Sequence, residues 1–437
     1  MKKLFKKLFL LNLLLLIFIG CSKDDLLTEN ESIPEIDSVF ETLKAWGFSD
    51  HEIEDMGTYY LVDKDIVFYK NKKYHKPENS NTKQREHPNS VTINSIQVFI
   101  NPGMNQAWRN ASVDAINRWN NASSGLLLNI TTTTANAHIE IMYDSQDPAL
   151  TLAANVFGMG EFPATNGLPG TRIWINPDFN ACSGAITQNM RISNVQHELG
   201  HNLGLTHTNQ TFGSLIPGTP STDAQSVMNG GQACTINNFS TGDFSAVAFL
   251  FPPLTPTGSS LVCNTSTAVY TIENSNIPLT WTTSSNLQIL SSSNNSITVK
   301  PVNSSFNGSG FVQANSPTQN IRKDVWIGKA VVDYIEFGNG IGETDYFCSS
   351  HYGNTYDIFP RLSGTTHQIR LRRWPSLSIV YSPSTNYSGN SGTLNYTPSP
   401  GWYVFGIRRT NPCGTSEWFE TEVEFVDCSN NEGGGEF

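Results

Sequence analysis

The pattern of apolar and polar residues changes near residue 255, and the change divides the chain into a helix-containing part and a β-rich part. Before that point, apolar residues recur with helical spacing in several stretches, each long enough for an α-helix. Between these stretches, short runs alternate apolar and polar residues, as half-buried strands do. The helices are predicted at 38–46, 105–120, 189–203 and 241–250, and the strands at 60–69, 93–100, 126–131, 138–142 and 171–176.

Two of the predicted helices carry a continuous apolar stripe, so each of them is expected to bury one face. The stretch 156–170 is rich in glycine and proline and is predicted to be a loop. These elements predict a single α+β domain at 91–254, with a mixed sheet, a central helix and a C-terminal helix. The stripes are Trp108, Ala111, Ala115 and Trp119 in one helix, and Ile192, Val195, Leu199 and Leu203 in the other.

The β-rich part is dominated by serine, threonine and asparagine, with short β-branched runs between turn residues. Close spacing of short strands is typical of β-sandwiches. We therefore predict two all-β sandwiches, at 255–330 and 331–428, followed by a disordered tail at 429–437.

The first residues have the plan of a secretory signal, with lysines followed by an apolar run that is short for a membrane span. The alternative is an uncleaved anchor helix. Phe18-Ile19-Gly20-Cys21 resembles a bacterial lipobox, which implies a signal peptide at 1–20 and lipidation of Cys21. Ser22-Lys23-Asp24-Asp25 resembles the surface-export signal of Bacteroidetes lipoproteins. These resemblances imply an exported protein, lipid-anchored to the bacterial outer membrane and facing the cell surface.

Residues 21–70 form an N-terminal segment, and 71–90, rich in lysine, asparagine and proline, is predicted to be a linker. Residues 22–90 could also be a propeptide that is cut within this linker. The sequence leaves both interpretations open.

Composition excludes one class of partner. The 437-residue chain has a net charge of -11, which argues against nucleic-acid binding. Of its 7 cysteines, those other than Cys21 allow disulfides in an exported protein. Cys182 and Cys234 are the candidates for a pair in the α+β domain. The sequence does not choose among the pairings of the remaining four.

Candidate chemistry is concentrated at 197–207, which reads HELGHNLGLTH. His197 and His201 are four apart on a predicted helix and project from the same face. Glu198 lies beside the first histidine, within reach of a metal-bound water. Gly204 can end the helix in a left-handed conformation and return His207 to the same metal. Three histidines bind Zn²⁺ and leave its fourth position for water.

HExxHxxGxxH is the signature of the metzincins, zinc peptidases that carry a methionine turn beneath the metal. Ser226-Val227-Met228-Asn229-Gly230 resembles that turn, with Met228 as its methionine. Gly230 stands where some metzincins have a tyrosine ligand, so none is expected here. No cysteine lies between Cys21 and Cys182, so a cysteine-switch latency is not available.

A narrower resemblance, over about residues 35–254, is to the dual-action HEIGH metallopeptidases of bacterial lipoproteins; this chain reads HELGH. The C-terminal half resembles the Ig-like modules of Bacteroidetes surface proteins. The resemblance implies a metzincin-like catalytic domain with one catalytic Zn²⁺ on His197, His201 and His207. It implies an endopeptidase with Glu198 as general base, acting on a peptide or protein substrate.

We expect the substrate to add as a strand along 171–176, where Arg172 and Trp174 could touch it. The C-terminal modules could bind a protein or a glycan. Glu161 and Asp223 are the acidic residues considered for Ca²⁺, but no calcium-loop pattern supports such a site. The remaining histidines receive no role: His51, His75, His87, His138, His351 and His367.

Two other functions remain open. The chain could be a surface adhesin, or another glycan- or protein-binding lipoprotein, with an inactive peptidase domain, although an intact Glu198 argues against loss of activity. It could also hold a structural zinc ion, although such sites usually have four protein ligands.

Overall fold

Three predicted features, the signal peptide 1–20, Cys21 and the tail 429–437, lie outside the residues that the computed structural model describes. Among the described residues, no helix has the length and apolar character that a membrane span requires. The described residues are 38–46, 48–62, 66–74, 84–148, 150–210, 212–220, 222–232, 234–236, 238–338, 343–344, 346–349 and 353–428.

The described α-helices all precede residue 251, and in that part of the chain they alternate with strands. The helices are α1 (Ser38–Ala45), α2 (Gln106–Asn120), α3 (Gln188–Asn202) and α4 (Thr241–Leu250). The strands are β1 (Ile53–Asp55), β2 (Tyr59–Val62), β3 (Ile66–Tyr69), β4 (Arg85–Glu86), β5 (Ser95–Ile100), β6 (Leu127–Thr131), β7 (Ile139–Tyr143), β8 (Gly158–Glu161), β9 (Arg172–Ile175), β10 (Leu205–Thr206) and β11 (Ser214–Leu215).

An eight-stranded mixed sheet organises this part of the chain, in the order β1-β2-β3-β8-β9-β7-β5-β6. Strands β5, β6, β7 and β9 run parallel, and β8 runs antiparallel to β9. Both predicted helical stripes are buried in one core together with the sheet. That core forms because the apolar stripes of α2 and α3 and the sheet can leave water only by packing together.

The helix and strand predictions for the central region are confirmed to within one or two residues, with three differences. The predicted strand at 60–69 is two strands, β2 and β3. The predicted loop at 156–170 contains β8, whose glycines conceal it because glycine is a poor strand former. Gly158 and Gly160 let this strand lie directly against α3.

The third difference concerns the predicted linker at 71–90. Its residues Arg85 and Glu86 form β4, which lies between β10 and β11 in a three-stranded sheet. The side chains of Gln84, Arg85 and His87 are buried. This part of the chain is therefore built into the α+β region rather than spanning a gap.

The N-terminal segment has its own apolar core against β8 and the loop before β11. Residues from α1, β2 and β3 meet Phe162 and Phe212 there. Aromatic side chains bury a large apolar area, so they dominate the stability of such a small core. Its buried members are Val39, Leu43, Trp46, Phe48, Ile53, Tyr60, Val62, Ile66, Phe68, Phe162 and Phe212.

After residue 255 every described regular element is a strand, and the strands form two successive two-sheet units, each around its own core. The first contains β12 (Leu261–Val262), β13 (Ala268–Thr271), β14 (Thr280–Thr283), β15 (Leu287–Ser292), β16 (Ser296–Pro301), β17 (Gly308–Asn315) and β18 (Asn320–Ile327). The second contains β19 (Tyr334–Gly338), β20 (Glu343–Thr344), β21 (Tyr346–Cys348), β22 (Asn354–Phe359), β23 (Thr366–Arg373), β24 (Ser378–Tyr381), β25 (Tyr387–Ser388), β26 (Ser391–Leu394), β27 (Gly401–Asn411), β28 (Gly414–Thr415) and β29 (Phe419–Val426).

Three disulfides resolve the pairing that the sequence left open. Cys182 pairs with Cys234, the pair considered from the sequence. Cys263 pairs with Cys413 and joins the two β units, while Cys348 pairs with Cys428 within the second.

Candidate metal centre

Helix α3 presents the candidate ligands because of how it begins and ends. Its N-cap Thr187 accepts a hydrogen bond from the backbone N of Met190, at 3.2 Å. The helix ends at Asn202, and Gly204 follows with φ of +99°, a conformation that strongly favours glycine. The chain therefore reverses, as predicted, and brings His207 back beside His201.

The three histidines form a small triangle of ring nitrogens. The Nε2 atoms of His197 and His201 are 3.0 Å apart, and each is 3.2 Å from Nε2 of His207. A tetrahedral zinc ion with Zn–N bonds of about 2.0–2.1 Å requires N···N separations of about 3.3 Å. The triangle thus has the size that a zinc ion needs.

The other ring nitrogen of each histidine contacts an oxygen. Nδ1 of His197 lies 2.7 Å from the carbonyl of Val227, and Nδ1 of His201 lies 2.9 Å from that of Leu205. Nδ1 of His207 lies 3.0 Å from Oε1 of Gln210. A carbonyl oxygen only accepts hydrogen bonds, so each Nδ1 carries the proton and each Nε2 keeps its lone pair for a metal.

Burial favours the neutral form of the triad. His201 is fully buried, and desolvation, followed by the neighbouring His197 and His207, holds its pKa well below the usual value. Neutral imidazole is the form that binds metal, and three converging lone pairs repel one another unless a cation lies between them. The donor set therefore fits a zinc ion.

Glu198 is buried beside the triad and, with His197, lines a cavity of about 260 Å³. Phe157 and Phe179 stack at 4.2 Å between centroids and give the cavity an apolar wall. Asn194, Asn229 and Gln232 contribute polar groups. The cavity can therefore hold a substrate side chain that lies next to both the metal position and the Glu198 carboxylate.

Met228, the residue predicted for the methionine turn, packs against helix α3 at Gly200, next to His201. It is fully buried, and a Cβ added to Gly200 would lie 2.3 Å from its sulfur. Only glycine at position 200 lets the helix come this close. The backbone N of Thr208 donates to the carbonyl of Met228 at 3.0 Å, which ties the turn to the segment carrying His207.

A buried carboxylate that the sequence analysis did not identify supports this turn. Asp243 accepts hydrogen bonds from the backbone N of Val227 at 2.9 Å and from the Ser226 hydroxyl at 2.6 Å. Burial raises the pKa of Asp243, and the hydrogen bonds from Ser226 and the backbone oppose that rise. The Ser240–Asp243 capping box at the start of α4 is the sequence signal that could have found it.

Gln84 reaches the same place from the predicted linker. Its Nε2 donates to Asp243 at 2.9 Å, and its Oε1 accepts from the Thr208 hydroxyl at 3.0 Å. No sequence pattern identifies Gln84, because its role depends on where the chain runs in space.

The two acids considered for calcium are used otherwise. Glu161 forms an ion pair with Lys72, and Asp223 accepts from Ser240 and Gln84. Within the described ranges, the histidine triad is the one group of three or more metal-type side chains close enough to share an ion.

The remaining histidines take no part in the triad. His87 stacks on Phe162, His138 accepts from the backbone of Gln97, and His367 contacts Tyr356. His51 is exposed on the N-terminal segment. His75 and His351 lie outside the described residues.

The expected substrate strand is corrected by the sheet topology. Strand β9 pairs with β7 on one side and β8 on the other, so it has no free edge. Arg172 forms an ion pair with Asp147, and Trp174 donates to the same carboxylate. Trp174 is buried and is therefore not the substrate contact suggested from the alternation of Ile173 and Ile175, while Arg172 is engaged by Asp147.

Comparison with known proteins gives only weak likenesses. By structure, the chain is similar to high choriolytic enzyme 1 (HCE-1), a hatching enzyme zinc-protease from Oryzias latipes (medaka fish), with a TM-score of 0.25, 14% identity, and coverage of 36% of this chain and 90% of that one. It is also similar to the titin Ig tandem domains A164-A165, with a TM-score of 0.19, 11% identity, and coverage of 40% and 96%. For titin domains A168-A170 the TM-score is 0.17 at 10% identity, and coverage is 37% and 60%.

No protein-family model and no curated protein matches the chain. At these scores the structural likenesses carry no functional weight. The triad, its hydrogen bonds and Glu198 are what indicate the chemistry of this site.

Proposed function

We propose that this chain is a zinc-dependent peptidase, and the metzincin resemblance favours an endopeptidase. One observation carries the proposal: three Nε2 atoms form a triangle of zinc dimensions, and Glu198 and His197 line the cavity beside it. A structural zinc site usually has four protein ligands. In the described part of the chain, the group that can share an ion has three members, which favours a catalytic site with an open position.

Each residue then has a definite part in the reaction. When bound, zinc supplies an acidified water and a Lewis acid for the peptide carbonyl. Glu198 accepts a proton during attack and donates it to the leaving amine. Hydrogen bonds from their Nδ1 atoms orient His197, His201 and His207 with Nε2 toward the metal position, and burial keeps His201 neutral. Met228 and Asp243 hold the turn that carries the Val227 acceptor.

Two further proposals concern the rest of the protein. The lipobox resemblance at Cys21 supports lipid anchoring at the bacterial outer membrane, with the protein facing the cell surface. Exposed Trp374, Ile379 and Trp402 on the second β unit support binding of a protein or glycan there. Such binding would serve either a tethered peptidase or an adhesin, so it does not decide between them.

The peptidase proposal is tested with Glu198→Gln in the chain from residue 22 to 437. Loss of a general base should lower cleavage of a mixed peptide library by about 10²–10⁴-fold, while zinc content is unchanged. Glu41→Gln, at an exposed position on α1, is the matched control and should cleave like wild type. Equal cleavage by the Glu198→Gln and wild-type proteins would remove Glu198 from the mechanism.

A further inference from the structure

The strand beside the catalytic carboxylate is partly covered by the N-terminal segment. Strand β8 lies along α3, where a Cβ added to Gly158 would be 2.8 Å from Oε1 of Glu198. From Gly160 onward β8 is paired with β3, in the register Ile66 with Gly160 and Val67 with Glu161. A peptide that adds to β8 as a strand can therefore use only the part of its edge that precedes Gly160.

An ion pair between a half-buried lysine and a buried carboxylate ties the end of this covering strand to β8. Glu161 has no exposed surface, and it accepts hydrogen bonds from the backbone N of Thr171 at 3.1 Å and from the Thr171 hydroxyl at 2.5 Å. Lys72, which follows β3, forms an ion pair with its other oxygen. Separating the pair would leave a carboxylate buried without its counter-charge, which is costly.

Aromatic packing closes the same side of the site around His201. Phe162 meets the His201 ring edge to face at 5.0 Å between centroids. Phe68 and Phe212 pack on Phe162, and His87 stacks on it at 4.6 Å. These four side chains form the aromatic wall; Phe68, Phe162 and Phe212 in it also belong to the apolar core of the N-terminal segment.

The opposite side of the site is open. The 260 Å³ cavity is lined by Asn155–Gly158, together with His197 and Glu198. His197 retains 7% exposure, whereas His201 and His207 retain 0% and 1%. A substrate therefore has room beside the triad on the side of residues 155–158, and meets β3 and the aromatic wall on the other.

The geometry points to a peptidase that acts near chain ends. Strand β3 covers the edge of β8 from Gly160 onward and the aromatic core packs beside His201, so a peptide bound along β8 extends freely from the cleaved bond in one direction only. This inference rests on the proposed peptidase function, and it replaces the cleavage of internal sites in long chains, which the metzincin resemblance favours, with cleavage of short peptides and chain termini.

The test compares four peptide libraries with one randomised core: free ends, a glycine-serine extension at the amino end, the same extension at the carboxyl end, and extensions at both. We expect extension at one end to be tolerated and extension at the other end, or at both, to lower kcat/KM by about tenfold or more. Equal cleavage of all four would overturn the inference and leave the peptidase function intact. Cleavage of none would remove the peptidase function and the inference with it.

A variant tests the wall directly. Lys72→Met removes the partner of buried Glu161, and it should raise cleavage of the doubly extended library relative to the free-ended one. Lys70→Met is the matched control, because Lys70 pairs with the exposed Asp55 of the same segment. A Lys72→Met protein that folds and keeps the wild-type ratio would contradict the wall. If this variant does not fold, the wild-type comparison decides.

Discussion

The carbonyl oxygen of Val227 accepts the Nδ1 proton of His197 across 2.7 Å, and the backbone N of the same Val227 donates to Asp243. The methionine turn is therefore held between a metal-ligand candidate and a buried carboxylate. Asp243 does not belong to the triad, but a substitution of Asp243 should lower the affinity for zinc because it shifts Val227, which orients His197.

Asp243→Asn should weaken zinc binding while leaving the three histidines in place. The amide keeps one acceptor oxygen but replaces the other with a donor, which conflicts with the donors at Val227 and Ser226. Loss of such an outer partner typically costs about 10–100-fold in metal affinity. Competition with a chromophoric chelator measures the zinc dissociation constant. Asp114→Asn, at an exposed position on α2, is the control, and equal affinities for the two variants would rule out the linkage.

Gly200→Ala should destabilise the protein although alanine is the better helix former. At an exposed helix position, glycine to alanine would raise the free energy of unfolding by about 1 kcal/mol through helix propensity. Here the new Cβ would lie 2.3 Å from Sδ and 2.8 Å from Cε of Met228, so we expect a net loss of about 1–3 kcal/mol in the free energy of unfolding. In a Met228→Ala background the same change should be neutral or stabilising. Denaturant unfolding of the four proteins measures this coupling, and an equal effect in both backgrounds would show that the contact is not responsible.

The second β unit should lose stability in mild acid because of His367. Burial, the largest cause, lowers the pKa of His367 from its ordinary value of 6.5 to about 4. Between pH 6.5 and 4 the unfolded chain takes up a proton that the folded chain does not, so stability falls as pH falls. The loss should reach about 3 kcal/mol at pH 4 and level off below it. Thermal unfolding of wild type and His367→Gln from pH 7 to 4 checks this.

In that titration the difference between the two proteins carries the prediction, since other groups titrate in both. His51→Gln, at an exposed position, should keep the wild-type pH dependence. An identical pH dependence for wild type and His367→Gln would exclude His367 as the cause.

The histidine triad could be predicted from the sequence because all three candidate ligands lie within one short stretch of chain. Helical spacing aligns His197 with His201, and Gly204 allows the turn that returns His207. The contacts around it could not be predicted, because they depend on distant parts of the chain meeting. Gln84 stands in a polar stretch without periodicity, yet it is buried against Asp243.

Strand β8 was missed for a related reason. Its glycines argue for a loop when the chain is considered alone, and their value becomes visible only when α3 lies against them. The prediction that the substrate would follow 171–176 failed because strand order, unlike strand position, leaves no local signal. For the same reason, the sequence could not predict that β3 of the N-terminal segment pairs with β8.

Zinc content measured together with peptide cleavage tests the central claim most directly. Residues 22–437 would be purified, assayed for metal by mass spectrometry, and tested on the free-ended peptide library before chelation, after chelation and after zinc is restored. The account predicts one zinc ion per chain, with cleavage lost on chelation and recovered with zinc. Absence of zinc, or one bound zinc ion without cleavage of any peptide, would contradict it.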